Sequence, residues 1–177
     1  MAFYLYGTSS DEALRDFFPG DYVMSGYGGN DLLWSGSGND RLYGGSGDDR
    51  LYANDGNDYL YGGSGNDSAD GGAGNDYISG GSGNDALTGN SGDDRMYGGT
   101  GSDTMYGGTG NDVMRGDDGQ DSLYGQDGAD NLNGGNGDDR PEEERLHPNA
   151  GLERRTGATA EAHCRGMRRL HAPPRQH

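Results

Sequence analysis

The chain has 177 residues, of which 29% are hydrophobic and 38 are glycine, and its formal net charge is −17. So little apolar surface cannot offset the entropy lost when a glycine-rich chain becomes ordered, so folding requires another source of stability. The acidic balance argues against nucleic-acid binding and favours cations as partners, because nucleic acids are bound through basic side chains.

The charged residues are distributed unevenly along the chain. Residues 26–139 contain 21 Asp and four Arg, whereas residues 140–177 contain eight Arg. The chain has no Lys, and its single cysteine, Cys164, excludes an intrachain disulfide framework. No stretch approaches the length of a transmembrane helix, and residues 1–10 lack the basic, apolar and small-residue order of a cleaved signal peptide. The acidic character therefore belongs to the central segment.

Residues 1–25 form the first predicted element. Leu5 and Leu14 are nine residues apart, and Met24 and Leu33 continue the same spacing after one additional residue. We therefore predict that residues 1–25 are a degenerate N-terminal coil that caps the first open edge of the following structure, as the ends of repeat folds require.

Residues 26–142 repeat with a period of nine. A Gly stands two residues before each repeated Asp, and an apolar residue stands two residues after it in every unit but the last, which has Pro141. The thirteen units have the form Gly-Gly-x-Gly-Asn/Asp-Asp-x-Leu-x, whose positions are numbered first to ninth below. The repeated residues are Asp31, Asp40, Asp49, Asp58, Asp67, Asp76, Asp85, Asp94, Asp103, Asp112, Asp121, Asp130 and Asp139. Three positions held in register through thirteen units indicate a repeat fold rather than low complexity.

Each half of a unit predicts a different local structure. The glycine-rich half predicts a tight turn, because glycine adopts positive φ without steric cost. The x-apolar-x half predicts a three-residue strand whose middle side chain points inward. Two units then form one coil of 18 residues, and successive coils stack as parallel strands about 4.8 Å apart. Alternate aspartates consequently fall into two columns, the first from Asp31 to Asp139 and the second from Asp40 to Asp130.

The thirteen aspartates are predicted calcium ligands. Calcium prefers about six to eight oxygen ligands from carboxylates and backbone carbonyls, which a tight glycine turn ending in Asp supplies. No Glu occurs between Glu12 and Glu142, which excludes an EF-hand loop, because that loop ends in Glu. The competing interpretation is a metal-free Asx turn, in which each Asp accepts a hydrogen bond from a backbone amide. Repulsion within an uncompensated column of carboxylates argues against that interpretation.

The segments Gly62-Gly63-Ser64-Gly65-Asn66-Asp67 and Gly71-Gly72-Ala73-Gly74-Asn75-Asp76-Tyr77-Ile78-Ser79 resemble repeats-in-toxin (RTX) units, which are haemolysin-type calcium-binding repeats. The resemblance covers about residues 26–142 and implies an all-β, right-handed parallel β-roll, or β-solenoid. It also implies one Ca²⁺ between successive turns of each column, hence up to about 11 ions. It further implies a secreted, extracellular protein, exported by a type I secretion system, that folds when calcium binds.

Few residues are available for catalysis. Residues 1–140 contain no His, Cys or Lys, and Glu12 is their only Glu, which excludes a histidine-dependent triad, a zinc-protease helix and a P-loop there. We therefore predict that the protein is not an enzyme. Two function classes stay open: a stand-alone calcium-binding module, and the calcium-binding part of a larger secreted toxin or hydrolase.

Outward aromatic residues at the ninth position allow a third function class. They are Trp34, Tyr43, Tyr52, Tyr61, Tyr97, Tyr106 and Tyr124. Rows of such side chains are able to bind a glycan or a cell-surface partner, and flat solenoid faces are able to bind ice. The simpler interpretation is cross-strand stacking, because aromatic residues favour strands in general.

Residues 143–177 differ in composition from the repeats, being rich in Arg, Glu, His and Pro. We predict a basic tail that is disordered or is a non-native, out-of-frame extension. The competing interpretation is a natural basic tail that docks on acidic surfaces.

Overall fold

A computed structural model describes residues 2–16 and 18–142, with side chains described to residue 140. These residues form sixteen β-strands and no helix. The strands are β1 (Phe3–Tyr6), β2 (Ala13–Arg15), β3 (Tyr22–Gly28), β4 (Leu32–Trp34), β5 (Arg41–Ser46), β6 (Arg50–Asp55), β7 (Tyr59–Ser64), β8 (Ser68–Ala73), β9 (Tyr77–Ser82), β10 (Ala86–Ser91), β11 (Arg95–Thr100), β12 (Thr104–Thr109), β13 (Val113–Asp118), β14 (Ser122–Asp127), β15 (Asn131–Asn136) and β16 (Arg140–Glu142). No helix in this part of the chain is long and apolar enough to cross a membrane.

The strands alternate between two parallel sheets of eight strands each. One sheet contains the odd-numbered strands in order, and the other contains the even-numbered strands. Neighbouring strands pair residues 18 positions apart, as Leu42 and Leu60 do between β5 and β7. Each 18-residue coil thus contributes one strand to each sheet, which confirms the predicted all-β parallel solenoid with two strands per coil.

The strands are longer than the sequence predicts. Most of them have six residues rather than three, as in Arg41–Ser46, and burial alternates so that two positions point inward. One is the apolar eighth position, and the other is the first glycine of the next unit, Gly44 in β5. The ladder skips this glycine in each pair, passing from Tyr43–Tyr61 to Gly45–Gly63. The prediction of three-residue strands was therefore wrong, because an inward-pointing glycine leaves no hydrophobic signal in the sequence.

The core is a single line of apolar side chains along each sheet. Its fully or almost fully buried members are Tyr22, Met24, Leu33, Leu42, Leu51, Ala53, Leu60, Ala69, Ile78, Leu87, Met96, Met105, Met114 and Leu123. Partly buried Leu5, Leu14 and Leu132 pack against this cluster. Because each turn contributes only two such side chains, apolar burial per turn is small compared with that of an ordinary two-layer core.

The N-terminal segment forms the first coil. Strands β1 and β2 pair with β3 and β4, with Leu5 opposite Met24 and Leu14 opposite Leu33. Both pairs are 19 residues apart instead of 18, as the single additional residue requires.

At the C-terminal end, β16 places Pro141 opposite Leu123, so the backbone of Pro141 takes the register of the eighth position. The tail predicted for residues 143–177 lies outside the described residues.

The burial of each core side chain predicts how much its truncation lowers the free energy of unfolding. Leu60→Ala removes a side chain that is 0% exposed, so we expect a loss of about 2–5 kcal/mol in the free energy of unfolding. Leu132→Ala, at a partly buried position, is the matched control and is expected to cost less. Urea unfolding in saturating calcium measures both values. Equal losses for the two variants would contradict the assignment of the core.

Candidate metal centre

The structure stacks the thirteen repeated aspartates in the two predicted columns. Each one follows the glycine turn and precedes a strand, so its side chain lies at the edge between the two sheets. Eleven of them, from Asp31 to Asp121, are at most 3% exposed, whereas Asp130 and Asp139 at the C-terminal end are half-buried. The columns therefore bring closely spaced carboxylates into the interior.

One carboxylate oxygen of each aspartate holds the backbone of the neighbouring turn. The amide of Asp49 donates to Oδ1 of Asp67 at 2.8 Å, and the amide of Asp67 donates to Oδ1 of Asp85 at 2.8 Å. The second column repeats the arrangement from Asp40 onward, with distances of 2.7–2.9 Å. The aspartates thus accept hydrogen bonds from backbone amides, as the metal-free Asx-turn interpretation supposes. The bonds run between successive turns, however, and use only one carboxylate oxygen, Oδ1.

The second carboxylate oxygen has no hydrogen-bond partner in the buried aspartates. The unpartnered atoms are Oδ2 of Asp31, Asp40, Asp49, Asp58, Asp67, Asp76, Asp85, Asp94, Asp103, Asp112 and Asp121. A buried polar atom without a partner is costly, and a buried charge is costlier still unless it is paired or coordinates a metal. The protein side chains therefore leave a row of oxygens that require a cation or a proton.

Burial makes these carboxylates hard to ionise in the absence of a cation. It raises the pKa of Asp58 and Asp94 to about 7 and the pKa of Asp67 to about 6. The amide bound to Oδ1 acts in the opposite direction, and neighbouring aspartates add to the rise. The pKa of each of Asp49, Asp76, Asp85 and Asp103 is likewise raised to about 6.

Oδ2 faces the first glycine in the units that have glycine at that position. A Cβ built on Gly44 would lie within 3.0 Å of Asp49 Oδ2 and 2.6 Å from the carbonyl oxygen of Gly62 in the next turn. Eleven units have their Oδ2 in this place, and in seven of them a glycine carbonyl of the next turn is 2.5–2.8 Å from the built Cβ. The backbone of these glycines is not in the left-handed region, so the facing carboxylate and carbonyl, rather than φ, exclude a side chain. We call the space between Oδ2 and the first glycine the oxygen cradle.

The fourth glycine has a different task. It adopts positive φ in twelve of the thirteen units, +120° at Gly47, and a Cβ on Gly47 would collide with the carbonyl oxygen of Gly29 in the preceding turn. Across the turns of residues 26–139, backbone amides donate mainly to carbonyls of the third and sixth positions, and none donates to those of the fourth and fifth. The turn therefore leaves backbone carbonyl oxygens available beside the carboxylates.

This donor set fits calcium. Residues 1–140 contain no His or Cys, so zinc or copper would lack nitrogen and sulfur ligands there. Within the described residues no three acidic side chains converge, so backbone carbonyls have to complete any site. The donors are carboxylate and carbonyl oxygens, which calcium accepts in numbers of about six to eight. The unpartnered Oδ2 atoms are the observation that this fit rests on.

The fifth position carries a structural role that the sequence analysis missed. The amide of Asn66 donates to Oδ1 of Asp48, and the amide of Asn84 donates to Oδ1 of Asn66, at 2.7 and 2.9 Å. This exposed ladder runs beside the aspartate columns, with the opposite direction of donation. Asn or Asp occupies ten of the thirteen fifth positions, and that preference was the available signal.

The aromatic residues stack between turns on the outer faces. Trp34 lies 5.6 Å from Tyr52, Tyr106 lies 4.9 Å from Tyr124, and these centroid distances are typical of aromatic pairs. Tyr59, at a seventh position, stacks on Tyr77 at 4.4 Å with an angle of 1° between the rings. An open surface cleft of about 450 Å³ lies among Arg41, Tyr43, Tyr59 and Tyr61. Cross-strand stacking accounts for the ring pairs, and glycan binding stays a prediction.

The comparison with known families agrees with this geometry. The model of the RTX calcium-binding nonapeptide repeat matches residues 23–42, 34–69, 52–87, 70–105 and 106–141. No curated protein matches the chain. Repeats of this family are generally structural calcium-binding units rather than catalytic ones. Because the matches together span residues 23–141, the chain belongs to the RTX calcium-binding nonapeptide repeat family.

Proposed function

We propose that this protein binds several calcium ions along its two aspartate columns, with the thirteen repeated aspartates as ligands. The observation that carries the proposal is the set of eleven buried Oδ2 atoms without a partner. Successive aspartates define six intervals in the first column and five in the second, so up to about 11 ions are accommodated. Domain boundaries of 1–25 for the cap and 26–142 for the calcium-binding roll follow from the same repeats.

The two carboxylate oxygens and the turn carbonyls have different roles in this proposal. Oδ1 of each aspartate holds the backbone amide of the preceding turn, which fixes the carboxylate. Oδ2 and the free carbonyls of the glycine turn supply oxygen ligands. Calcium, when bound, supplies the positive charge that lets the buried carboxylates remain ionised.

Folding is coupled to calcium in this proposal. Unit charges about 4.8 Å apart repel by roughly 1–3.5 kcal/mol per pair at effective dielectric constants between those of water and a protein surface. The repeat body has four Arg against 21 Asp, and the core supplies two apolar side chains per turn. Neither compensates for two columns of repelling carboxylates, so calcium-binding energy becomes folding energy.

The cellular setting follows from this coupling. Extracellular calcium modules bind at about 10⁻⁴–10⁻³ M, a concentration found outside cells rather than in the cytosol. We therefore propose that the chain is secreted, with a type I secretion system as the export partner, and folds after export. Both arrangements, a stand-alone module and the calcium-binding part of a larger secreted toxin or hydrolase, are compatible with this function.

The first test is folding with and without calcium. We expect a parallel β signal in circular dichroism at millimolar calcium and its loss in excess chelator, because the uncompensated columns destabilise the fold. Magnesium at the same concentration is the control, since its octahedral preference suits a carbonyl-rich turn poorly. An identical β signal with and without calcium would contradict the coupling.

The second test separates the two carboxylate oxygens. Asp85→Asn keeps an Oδ1 that accepts the amide of Asp67, but it replaces the unpartnered Oδ2 with an amide nitrogen. We expect the count of bound calcium ions in isothermal calorimetry to fall by about one or two, because carboxylate oxygen is the preferred ligand. Asp93→Asn, at an exposed fifth position where Asn is common, is the matched control and should leave the count unchanged. Equal counts for both variants would refute the role of Oδ2.

The third test uses acid. The folded-state pKa of the buried aspartates is raised from 3.8 to about 6 or 7, so the folded chain binds more protons than the unfolded chain in that window. Stability without calcium therefore falls as pH rises from about 4 to 7. In calcium-stripped buffer we expect the β signal to increase as pH is lowered from about 8 to 5. A signal that instead increases toward pH 8 would contradict the burial of these carboxyl groups.

A further inference from the structure

Two units of the second column depart from the pattern at the first position. Eleven units have glycine there, but the units of Asp40 and Asp58 have Ser35 and Ala53. Both side chains point inward and are 0% exposed. In the other units a Cβ at this position would collide with Oδ2. The side chains of Ser35 and Ala53 therefore occupy the position that the oxygen cradle has in the other units.

One carbonyl oxygen of the cradle at Asp40 is also taken by a protein donor. The hydroxyl of Ser35 donates to the carbonyl of Ala53 at 3.1 Å, a bond within the buried interior. In regular units the corresponding first-position carbonyl lies beside Oδ2, as that of Gly62 does beside Asp49.

The local backbone has changed as well. Strand β4 ends at Trp34, three residues earlier than the six-residue pattern requires, and its pairing resumes only as an isolated bridge between Ser37 and Asp55. Gly36 is the one second-position residue of the thirteen units without positive φ. The turn is therefore reorganised around the serine side chain.

We infer that Ser35 and Ala53 close the first two intervals of the second column to calcium. The Ser35–Ala53 hydrogen bond and the Oδ1 bonds hold these turns, and Oδ2 of Asp40 and of Asp58 has no protein partner. Ser35 occupies the cradle of Asp40, and Ala53 occupies that of Asp58. The first column, whose first positions are all glycine, keeps its six intervals open. The inference rests on the proposed calcium function and adds which turns bind the ion. The two columns of this protein then differ in capacity.

The inference is tested by asking whether glycine at these two positions adds calcium sites. Restoring glycine in the double variant Ser35→Gly/Ala53→Gly opens both cradles, and we expect about two more calcium ions per chain than in the wild type. Native mass spectrometry and isothermal calorimetry of the full chain in calcium count the ions. Ser64→Gly/Ala73→Gly makes the same replacements at exposed third positions and is the matched control, for which no gain is expected.

A reciprocal variant keeps the inference testable if the first one does not fold. Gly89→Ser/Gly107→Ala transplants the two side chains into regular turns of the same column, where we expect about two fewer ions. The emission of Trp34, the single tryptophan, reports whether the turn beside Ser35 is folded in each variant.

The outcomes separate the two claims. A wild type that binds no calcium overturns the proposed function and this inference with it. A wild type near 11 ions, or a folded glycine variant with an unchanged count, overturns the inference alone. A count near nine that rises in the glycine variant and falls in the transplant supports it.

Discussion

The structure depends on a buried carboxylate of which only one oxygen is satisfied by the protein. Oδ1 of each repeated Asp accepts a backbone amide of the preceding turn, as Asp67 does from Asp49. Without this bond, the chain would leave one buried amide unpaired at every turn, because the turn lies outside the strand ladders. Closing the turn in this way carries a second oxygen, Oδ2, and its charge into the interior. The need for a cation is thus a consequence of how the backbone is satisfied.

The glycines of a unit serve two distinct physical requirements. The fourth glycine, such as Gly47, needs positive φ and also faces a carbonyl of the preceding turn. The second position also has positive φ in every unit but that of Gly36, and its glycines likewise face a carbonyl of the preceding turn, yet non-glycine residues from Tyr27 to Gln126 occupy it at 72–79°. The first glycine has an ordinary conformation, and a side chain there is excluded by the facing aspartate side chain and, in seven units, by a carbonyl of the next turn. A glycine at the first position therefore indicates that the space beside Oδ2 is open. A glycine at the fourth position indicates a backbone conformation with positive φ.

The sequence was sufficient to predict the period, the two columns and the register. The register followed because the apolar eighth position must stay inside, which pairs Leu42 with Leu60 and allows no slip. The strand length was not predictable from the apolar pattern, since the inward first glycine contributes no side chain to it. The division of labour between Oδ1 and Oδ2 was also beyond the sequence, because spacing gives the position of a carboxylate but not the direction of each oxygen. The hydrogen-bond ladder at the fifth position was visible in the sequence only as a preference for Asn or Asp there.

The proposed ligand task of the carboxylate is separable from its backbone task, which continues at Ser35 and Ala53. The amide of Asp40 still donates to Oδ1 of Asp58 at 2.7 Å, and the amide of Asp58 still donates to Asp76 at 2.8 Å. The backbone ladder thus runs without interruption through turns whose cradles are filled by side chains. In a solenoid each turn contacts only its neighbours, so such a replacement is absorbed locally and the register beyond it is kept. Calcium capacity can therefore change turn by turn while the fold stays the same, provided that Oδ1 and the eighth-position side chain are retained.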